Sequence, residues 1–315
     1  MEDMTTTNFP NGVTSYGVPV IPQGISFSKN SKVFFVAPNG GGNGTSVNQP
    51  VPTIQGAIDL CRSGFGDVIF VAPGTYAENL TIVGKDYISI IGCVTPGYAR
   101  PDVVPAAGIA LSCTTSQGLV LQHMRFASSD SDSVVNEGNG FQFVDCVFDG
   151  DSGQSATETN LRLVGNSADD SYTASEGLIQ DCLFRNSNGS GLTFQHAATP
   201  SGVGTTDNRI INCRFYGNAQ KDIISAANTS GGGAGIVLTT EINGCQFLTK
   251  NKAVYMTLNT VSFAGGDAAL NSGLISGNSF ANTASLNNTK IAIGGTALVF
   301  TGNFDAVGVT NGSAF

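Results

Sequence analysis

A short pattern that ends in phenylalanine recurs along the chain and constrains its fold more than any other feature. Four copies have cysteine two positions before the phenylalanine: Val144–Phe148, Gln180–Phe184, Ile211–Phe215 and Asn243–Phe247. Ser276–Phe280 has Asn278 in the cysteine position, and Leu121–Phe126 and Phe300–Phe304 are weaker copies. Successive phenylalanines are 22, 36, 31, 32, 33 and 24 residues apart. A repeat of this length predicts a stack of similar coils, called a solenoid.

Each repeat predicts two short strands joined by a tight corner. Residues two apart in a strand share a face, so the cysteine and the phenylalanine point the same way. The large apolar residue five positions before the phenylalanine has the wrong parity and can point inward only if the chain turns in between. The turn position holds Asp145, Asp181, Asn212 or Gly244, residue types that tolerate turn geometry. We therefore expect an all-β fold, a parallel β-helix whose loops absorb the variation in repeat length.

The amino-acid composition and the net charge argue against some classes of partner. Charged residues make up 12% of the chain, which contains 41 glycines, as is typical of a turn-rich β protein. The net charge of −9 and the lack of a basic cluster argue against a nucleic-acid partner. No apolar run approaches the length of a membrane-spanning helix, and no signal peptide is visible, so we expect no membrane partner.

The seven cysteines include no CxxC pair. We expect buried free thiols, because four of the cysteines occupy the inward position of the repeat. Cys61, Cys93 and Cys113 lie outside the repeat and are the candidates for any disulfide. Only His123 and His196 could assist the cysteines as metal ligands, so we expect no metal site and no cofactor.

Residues 1–30 precede the regular pattern and predict an extended docking arm. They contain several prolines and glycines but are too apolar for a solvated tail. An arm that binds a partner or a neighbouring subunit explains this composition, while packing on its own solenoid and disorder remain open. The expected partner-binding residues are Phe9, Pro10, Val13, Tyr16, Val18, Val20 and Ile21. Residues 31–315 would form the β-helix domain.

Residues 33–82 carry a recognisable order of elements. A strand beginning at Val33 leads into a Gly/Asn loop, and Pro52–Cys61 reads as a short amphipathic helix with Thr53 as its N-cap. A second strand then precedes Pro73-Gly74-Thr75-Tyr76. This order resembles the opening of pectate-lyase-like and pectin-esterase-like right-handed β-helix proteins. The resemblance implies a right-handed β-helix with a short N-terminal capping helix. It does not imply an activity, because enzymes, adhesins and viral structural proteins share this opening.

Candidate catalytic residues are sparse. Polysaccharide cleavage uses paired carboxylates, and the visible pairs are Asp130/Asp132, Asp149/Asp151 and Asp169/Asp170. All three pairs lie in loops where aspartate commonly serves turn chemistry. Polygalacturonase-type hydrolases resemble one another in several short sequence motifs. In this chain, Asp169-Asp170 and Thr206-Asp207-Asn208 match only fragments of these motifs, and the Gly-His-Gly and Arg-Ile-Lys motifs are missing. Asp181, Arg209 and Arg214 lack a surrounding lyase motif. We expect His123 and His196 to be ladder or loop residues, and we assign no catalytic residue.

An apolar arm joined to a weakly charged β-helix resembles tailed-phage proteins that decorate the particle. The resemblance implies a non-enzymatic virion structural protein that decorates or stabilises a phage capsid through its arm, forms a homotrimer and lies on the capsid surface. Its partner would be the major capsid protein or another virion protein. Capsid decoration or a head fibre is favoured over a tail location, which stays open. The alternatives are a tailspike or pectate-lyase-like protein that binds or cleaves polysaccharide, with a host-surface glycan as ligand, and a bacterial surface adhesin.

Overall fold

The structure, a computed structural model, describes residues 14–15, 18–19, 30–94, 99–165, 173–195, 205–226, 237–249, 253–258, 272–281, 291–293, 297–305 and 308–313. The elements in chain order are β1 (Thr14–Ser15), β2 (Val18–Pro19), β3 (Val33–Val36), α1 (Ile54–Leu60), β4 (Val68–Val71), β5 (Gly74–Tyr76), β6 (Leu80–Val83), β7 (Ser89–Gly92), β8 (Pro101–Val103), β9 (Leu111–Thr114), β10 (Val120–Gln122), β11 (Arg125–Ala127), β12 (Val134–Asn136), β13 (Gln142–Val144), β14 (Val147–Asp149), β15 (Thr159–Val164), β16 (Leu178–Gln180), β17 (Leu183–Arg185), β18 (Ser190–Gln195), β19 (Thr205–Thr206), β20 (Arg209–Ile211), β21 (Arg214–Tyr216), β22 (Ile223–Ala226), β23 (Val237–Leu238), β24 (Thr240–Asn243), β25 (Gln246–Phe247), β26 (Met256–Leu258), β27 (Ser272–Ser276), β28 (Ser279–Phe280), β29 (Ile291–Ile293), β30 (Ala297–Asp305) and β31 (Gly308–Ser313).

The strands form a right-handed parallel β-helix of three-strand coils. Except at the two ends of the stack, each coil contains an A strand, a B strand and a C strand in that order. The A strands are β3, β4, β7, β10, β13, β16, β20, β24 and β27. The B strands are β5, β8, β11, β14, β17, β21, β25 and β28, and the C strands are β6, β9, β12, β15, β18, β22, β26 and β29. We number the coils from β3 (coil 1) through β27–β29 (coil 9) to β30 (coil 10).

Successive coils pair in register, so like residues stack on like residues. Phe126, Phe148, Phe184, Phe215 and Phe247 are aligned along the B strands. Their rings stack with centroid separations of 4.9 Å for Phe148–Phe184, 4.8 Å for Phe184–Phe215 and 5.0 Å for Phe215–Phe247. Phe280 continues the stack 4.5 Å beyond Phe247. The predicted phenylalanine ladder is therefore confirmed over these coils.

The predicted corner between the A and B strands is a single residue in the left-handed conformation. The backbone φ is 48° at Asp145, 55° at Asp181, 53° at Asn212 and 68° at Gly244. His123 occupies the same position in coil 4, with φ of 56°. Asparagine, aspartate and glycine adopt this conformation at lower cost than other residues, because glycine lacks a Cβ and the short polar side chains bond locally.

The cysteine positions are inward, as predicted. Cys146, Cys182, Cys213 and Cys245 are at most 1% exposed, and all seven cysteines of the chain are free thiols. Burial raises the pKa of the Cys146, Cys182 and Cys213 thiols well above the ordinary value. They therefore behave as small apolar side chains rather than as nucleophiles.

Asparagines replace the cysteines in the last coils. The Asn278 side chain donates to the carbonyl of Ile242 at 3.0 Å and to Asn303 Oδ1 at 2.9 Å. Asn303 in turn donates to the carbonyl of Ile275 at 3.0 Å. These amides satisfy buried backbone groups that a thiol satisfies only weakly.

Helix α1 covers the first coils and is held at both ends by residues of the next coil. Thr53 is its N-cap, as predicted, and Ile54, Ala57 and Ile58 are buried. The Glu78 carboxylate accepts from the backbone N–H groups of Ile54 and Gln55. At the other end, Lys85 Nζ donates to the carbonyls of Ile58, Asp59 and Cys61. Both sets of unpaired helix-end groups therefore find partners.

The last coil ends in a hairpin. Strand β30 pairs in parallel with β27 and antiparallel with β31, so the chain's own last residues cover this edge of the A strands. This hairpin corrects one sequence interpretation. Phe304 is aligned with Ser279, not with Phe280, and its side chain is 47% exposed. Phe304 is thus outside the ladder, because β30 runs straight into its antiparallel pairing instead of repeating the frame.

Two further features are the B strand of coil 3 and a pair of strands in the arm. Pro101–Val103 forms the B strand of coil 3 and is the parallel neighbour of Arg125–Ala127 in coil 4. In the arm, β1 and β2 form a short antiparallel pair, and the other residues before Asn30 lie outside the described residues. Among the described residues, no helix is long and apolar enough to cross a membrane.

The corner conformation gives a first prediction. Asn212 is exposed at the A–B corner, so Asn212→Gly should leave the free energy of unfolding within about 0.5 kcal/mol of wild type. Asn212→Val should cost ~1–2 kcal/mol, because a branched Cβ is strained at positive φ. Urea denaturation of the two variants measures the difference, and equal stabilities would contradict a left-handed corner.

The ladder gives a second prediction. Phe215→Ala should lower the free energy of unfolding by ~3–5 kcal/mol, since it leaves a cavity between two stacked rings. Tyr216→Ala, one residue further and 53% exposed, is the matched control and should change stability by less than about 0.5 kcal/mol. A similar loss in both variants, measured by urea denaturation, would argue against the alternation of inward and outward residues.

Candidate functional site

The outward side of the B strands, which we call the B face, contains an open groove. It has a volume of about 390 Å³ and crosses coils 2 to 6. The lining residues are Gly74, Thr75, Ala99, Arg100, Asp102, Arg125, Val147 and Arg185. In the B strands the side chains on either side of each inward phenylalanine point outward, which places Arg125 and Arg185 on this face.

Asp149 is a buried carboxylate under the groove that binds two of the lining arginines. It is only 3% exposed, and both Arg125 and Arg185 bind it. Arg125 donates through Nε at 3.0 Å and Nη2 lies at 2.9 Å, while Arg185 donates through Nε at 3.0 Å and Nη2 at 2.7 Å. Asn186 donates to the other carboxylate oxygen at 3.1 Å. One buried carboxylate therefore fixes two arginines from different coils in a charge-assisted network.

A second cluster lies at the A–B corner beside the groove. Arg100 donates to Asp145 Oδ1 at 2.8 Å and also to the Asp145 carbonyl. His123 Nδ1 lies 2.8 Å from Asp145 Oδ2. Burial alone would raise the pKa of Asp145, but the hydrogen bonds from His123 and Arg100 outweigh burial and hold the pKa below its ordinary value. Asp145 therefore stays ionised as a structural anchor.

Within each described carboxylate pair predicted from the sequence, the two side chains serve different partners. Asp130 accepts from the backbone N–H of Gly108 in the preceding coil at 2.7 Å. Asp132 binds Arg162 Nε at 2.6 Å and the backbone N–H of Thr159 at 2.7 Å, both in the following coil. The two carboxylates thus tie coil 4 to the coils on either side of it.

The second pair is divided in the same way. Asp149 holds the two groove arginines, whereas Asp151 accepts from the backbone N–H of Gly153 at 3.1 Å within its own turn. This hydrogen bond lowers the pKa of Asp151. Asp169 and Asp170, the third pair, lie outside the described residues.

The other candidate residues named from the sequence have the following contacts, where the structure describes them. His123 is a corner residue of the ladder, as expected, but it is not isolated, because it contacts Asp145. Asp207 accepts from the Thr239 hydroxyl, and Arg209 pairs with Glu241 at 2.9 Å. Asp181 accepts from Gln180 at 3.0 Å. His196 lies outside the described residues.

The expected docking residues are almost entirely outside the described part of the chain. Val18 belongs to β2, of which only the backbone is described, while Phe9, Pro10, Val13, Tyr16, Val20 and Ile21 lie outside it. In the described part of the chain, no group of three or more His, Cys, Asp or Glu residues is arranged to hold a metal ion.

Sequence reasoning missed the groove arginines. Arg125 and Arg185 directly flank the ladder residues Phe126 and Phe184, so the repeat frame alone places them outward. Arg100 had no such signal, because it lies in the loop between β7 and β8. Asp149 was considered only as a partner of Asp151, although it follows Phe148 directly.

Comparison with known proteins gives the fold. No protein-family description and no curated protein matches the sequence. Among solved structures, pectate lyase Pel9A is 14% identical with a TM-score of 0.53, covering 93% of this chain and 79% of that chain. The YbhC protein of Escherichia coli is 10% identical with a TM-score of 0.52, covering 96% and 82%. Pectin methylesterase PemA from Erwinia chrysanthemi matches more weakly, with 12% identity and a TM-score of 0.43 over 92% and 93%.

These results define the protein as a right-handed parallel β-helix with the fold of pectate lyases. At such low identity the first two similarities show the fold alone, and a shared fold does not transfer an activity. The function must therefore be argued from the residues of this chain.

The corner cluster gives a third prediction. A carboxyl whose pKa is lower in the folded state stabilises the fold above its unfolded pKa, about 3.9 for aspartate, and this contribution is lost as the pH falls through the folded pKa. Asp145→Asn should therefore be less stable than wild type at neutral pH, and the gap should shrink in strong acid. Urea denaturation of both proteins across this pH range measures the gap, and a constant gap would contradict the ionised anchor.

Proposed function

We propose that this protein is a non-enzymatic structural component of a virion that binds the capsid through its N-terminal arm and presents the β-helix as a rigid body. One observation carries the proposal. Of the four described carboxylates in the predicted pairs, Asp130, Asp132 and Asp149 join one coil to another, and Asp151 bonds within its own turn. Glycoside cleavage requires two carboxyl groups that act on the same bond. Asp130 and Asp132 bond coils on opposite sides, and Asp149 is buried beneath two arginines.

The rigidity of the β-helix supports a structural role. Register pairing is continuous from β3 to β30, and the described ion pairs Asp132–Arg162 and Asp149–Arg185 connect different coils. A body held in this way has few local degrees of freedom. It suits a projecting or clamping element better than an enzyme that must close around a substrate.

The outward side of the first A strands supports the homotrimer in this proposal. Phe35 and Phe70 are aligned on adjacent coils with their rings stacked at 5.9 Å on the outside of the sheet. Both rings are half-buried and next to the point where the arm joins the β-helix. An apolar surface at this end would bury its area against other copies of the chain. The arm would then extend from the same end toward the major capsid protein or another virion protein.

The rival proposal is a polysaccharide-binding or polysaccharide-cleaving protein, such as a tailspike. The groove of the B face favours it, since exposed guanidinium groups can bind an acidic sugar. Among the described residues, the groove lining includes no aromatic ring on which a sugar could stack, and the acidic residues there are paired with the arginines. We therefore favour the structural role.

Co-sedimentation with capsids stripped of accessory proteins tests the proposal. The full-length protein should bind saturably, at a fixed ratio to the major capsid protein. A form lacking residues 1–29 should not bind, because it lacks the apolar anchors. This truncation keeps Asn30, whose carbonyl accepts from Arg62 at 2.5 Å, so the first coil should stay intact.

Point variants provide the control for this experiment. Phe9→Ser combined with Tyr16→Ser should weaken binding at least about tenfold, as expected when interface aromatic anchors are lost. Asp130→Asn with Asp151→Asn should leave capsid binding unchanged, because both side chains are exposed and neither lies in the arm. Equal binding by the full-length and truncated proteins, or release of sugar from a polysaccharide that the aspartate variant fails to release, would refute the proposal.

A further inference from the structure

We propose that the B face of coils 3 to 8 is a docking surface for an acidic, partly apolar segment of a partner protein. This inference rests on the proposed structural role, because it treats the groove as part of a protein interface. It adds a second contact, distinct from the arm, and names the residues that would form it.

The outward residues of the B face have the composition of a protein interface. One row runs along the register from Asp102 through Arg125, Val147 and Leu183 to Arg214. The neighbouring row contains Asp149, Arg185 and Tyr216, with Leu248 next to Tyr216 in the following coil. Arginine and tyrosine are enriched at the energetically important positions of interfaces, and lysine is depleted. None of these outward positions is lysine.

The charge of this face contrasts with that of the whole chain. The protein has a net charge of −9, yet four of its seven arginines, at positions 100, 125, 185 and 214, line or adjoin the groove. Each guanidinium has five N–H donors, and the hydrogen bonds to Asp149 use only Nε and Nη2 of Arg125 and Arg185. Arg125 Nη1 also lies 3.4 Å from Asp102 Oδ2. The donors left for a partner within this pair are therefore those of Arg185 Nη1, on a side chain that Asp149 already holds in place. A partner carboxylate would bind them without the cost of ordering flexible side chains.

The part of the proposed surface at coils 7 and 8, just beyond the groove, is its most accessible part. Tyr216 is 53% exposed and Leu248 is 41% exposed, although both lie in a regular part of the β-helix. Arg214 is exposed and, within the described ranges, forms no ion pair. An exposed tyrosine, leucine and unpaired arginine at adjacent register positions offer apolar area together with a directed charge.

The balance of charge selects a peptide over a polyanion. Arg100, Arg125 and Arg185 are matched by Asp102, Asp145 and Asp149, so the groove as a whole is close to neutral. A nucleic acid or a heavily charged glycan would meet these carboxylates at every step and be repelled. An extended peptide places alternate side chains on one side, so it can present single carboxylates to the arginines and aliphatic groups to Val147, Leu183 and Leu248.

Fluorescence polarisation on the full-length protein tests the inference. The probe is a labelled, end-capped peptide that alternates aspartate with leucine. The comparison probes are the same peptide with asparagine in place of aspartate, and a labelled uronate oligosaccharide. We expect the aspartate peptide to bind saturably, the asparagine peptide to bind at least about tenfold more weakly, and added salt to weaken binding because exposed charges are screened.

Variants assign the binding to the B face. Arg214→Gln combined with Tyr216→Ala should weaken peptide binding at least about tenfold without unfolding the protein, because both side chains are exposed. Arg209→Gln is the matched control. It removes the same charge from the same coil but from the A strand, where Arg209 pairs with Glu241. The control should bind the peptide as wild type does.

The outcomes separate this inference from the proposed function. Tighter binding of the uronate than of the peptide, equal binding of both peptides, or equal binding by the Arg214/Tyr216 variant and wild type would each overturn the inference. Arm-dependent co-sedimentation with capsids would stand in any of these cases. Conversely, loss of co-sedimentation with an intact, B-face-dependent peptide affinity would refute the arm proposal while leaving the second surface in place.

Discussion

Parallel pairing in strict register is the constraint on which the rest of this structure depends. When one coil lies on the next without a shift, each side chain has its own counterpart above and below, about 4.8 Å away. Stacked rings profit from this repetition, as the Phe148–Phe184–Phe215–Phe247 series shows. Stacked charges do not, because like charges on adjacent coils repel. The low content of charged residues in the chain follows from this geometry.

The few charges that are present are arranged to escape that repulsion. Asp149 lies on coil 5 with Arg125 on coil 4 and Arg185 on coil 6, so opposite signs alternate along the axis. Arg209 and Glu241 follow the same rule on the A strands, where they are directly aligned. Asp130, Asp132 and Asp149 each connect one coil to another. The role of such an aspartate in chemistry can be judged only after its neighbours in the stack are known.

The fold could be predicted well because in-register stacking requires a repeated residue pattern, which is recognisable in the sequence. The cysteine–phenylalanine spacing, the change of parity and the Asp/Asn/Gly position together indicated two strands joined by a tight corner, and at that corner Asp145, Asp181 and Asn212 have the left-handed conformation. Phe304 was misassigned because a hairpin replaces the repeat at that point, and no spacing rule distinguishes the two.

The candidate site was predicted only in part, for a physical reason. The repeat frame identifies which residues point outward but not how far a long side chain reaches. Arg100 spans from a loop of coil 3 to Asp145 of coil 5, a contact between residues 45 positions apart. The contact of His123 with Asp145 was not predicted, because the two residues are 22 positions apart and lie on adjacent coils. Contacts of this kind depend on the stacking of coils and become visible only in three dimensions.

The attachment of helix α1 affects how the arm end of the β-helix opens. Glu78 and Lys85 belong to the segment that continues into coils 2 and 3, yet they hold the two ends of a helix that precedes them. The helix therefore cannot separate from the β-helix while Glu78 and Lys85 keep these hydrogen bonds. Opening of the coil to which the arm is joined therefore requires that the hydrogen bonds from Glu78 and Lys85 to the helix break as well.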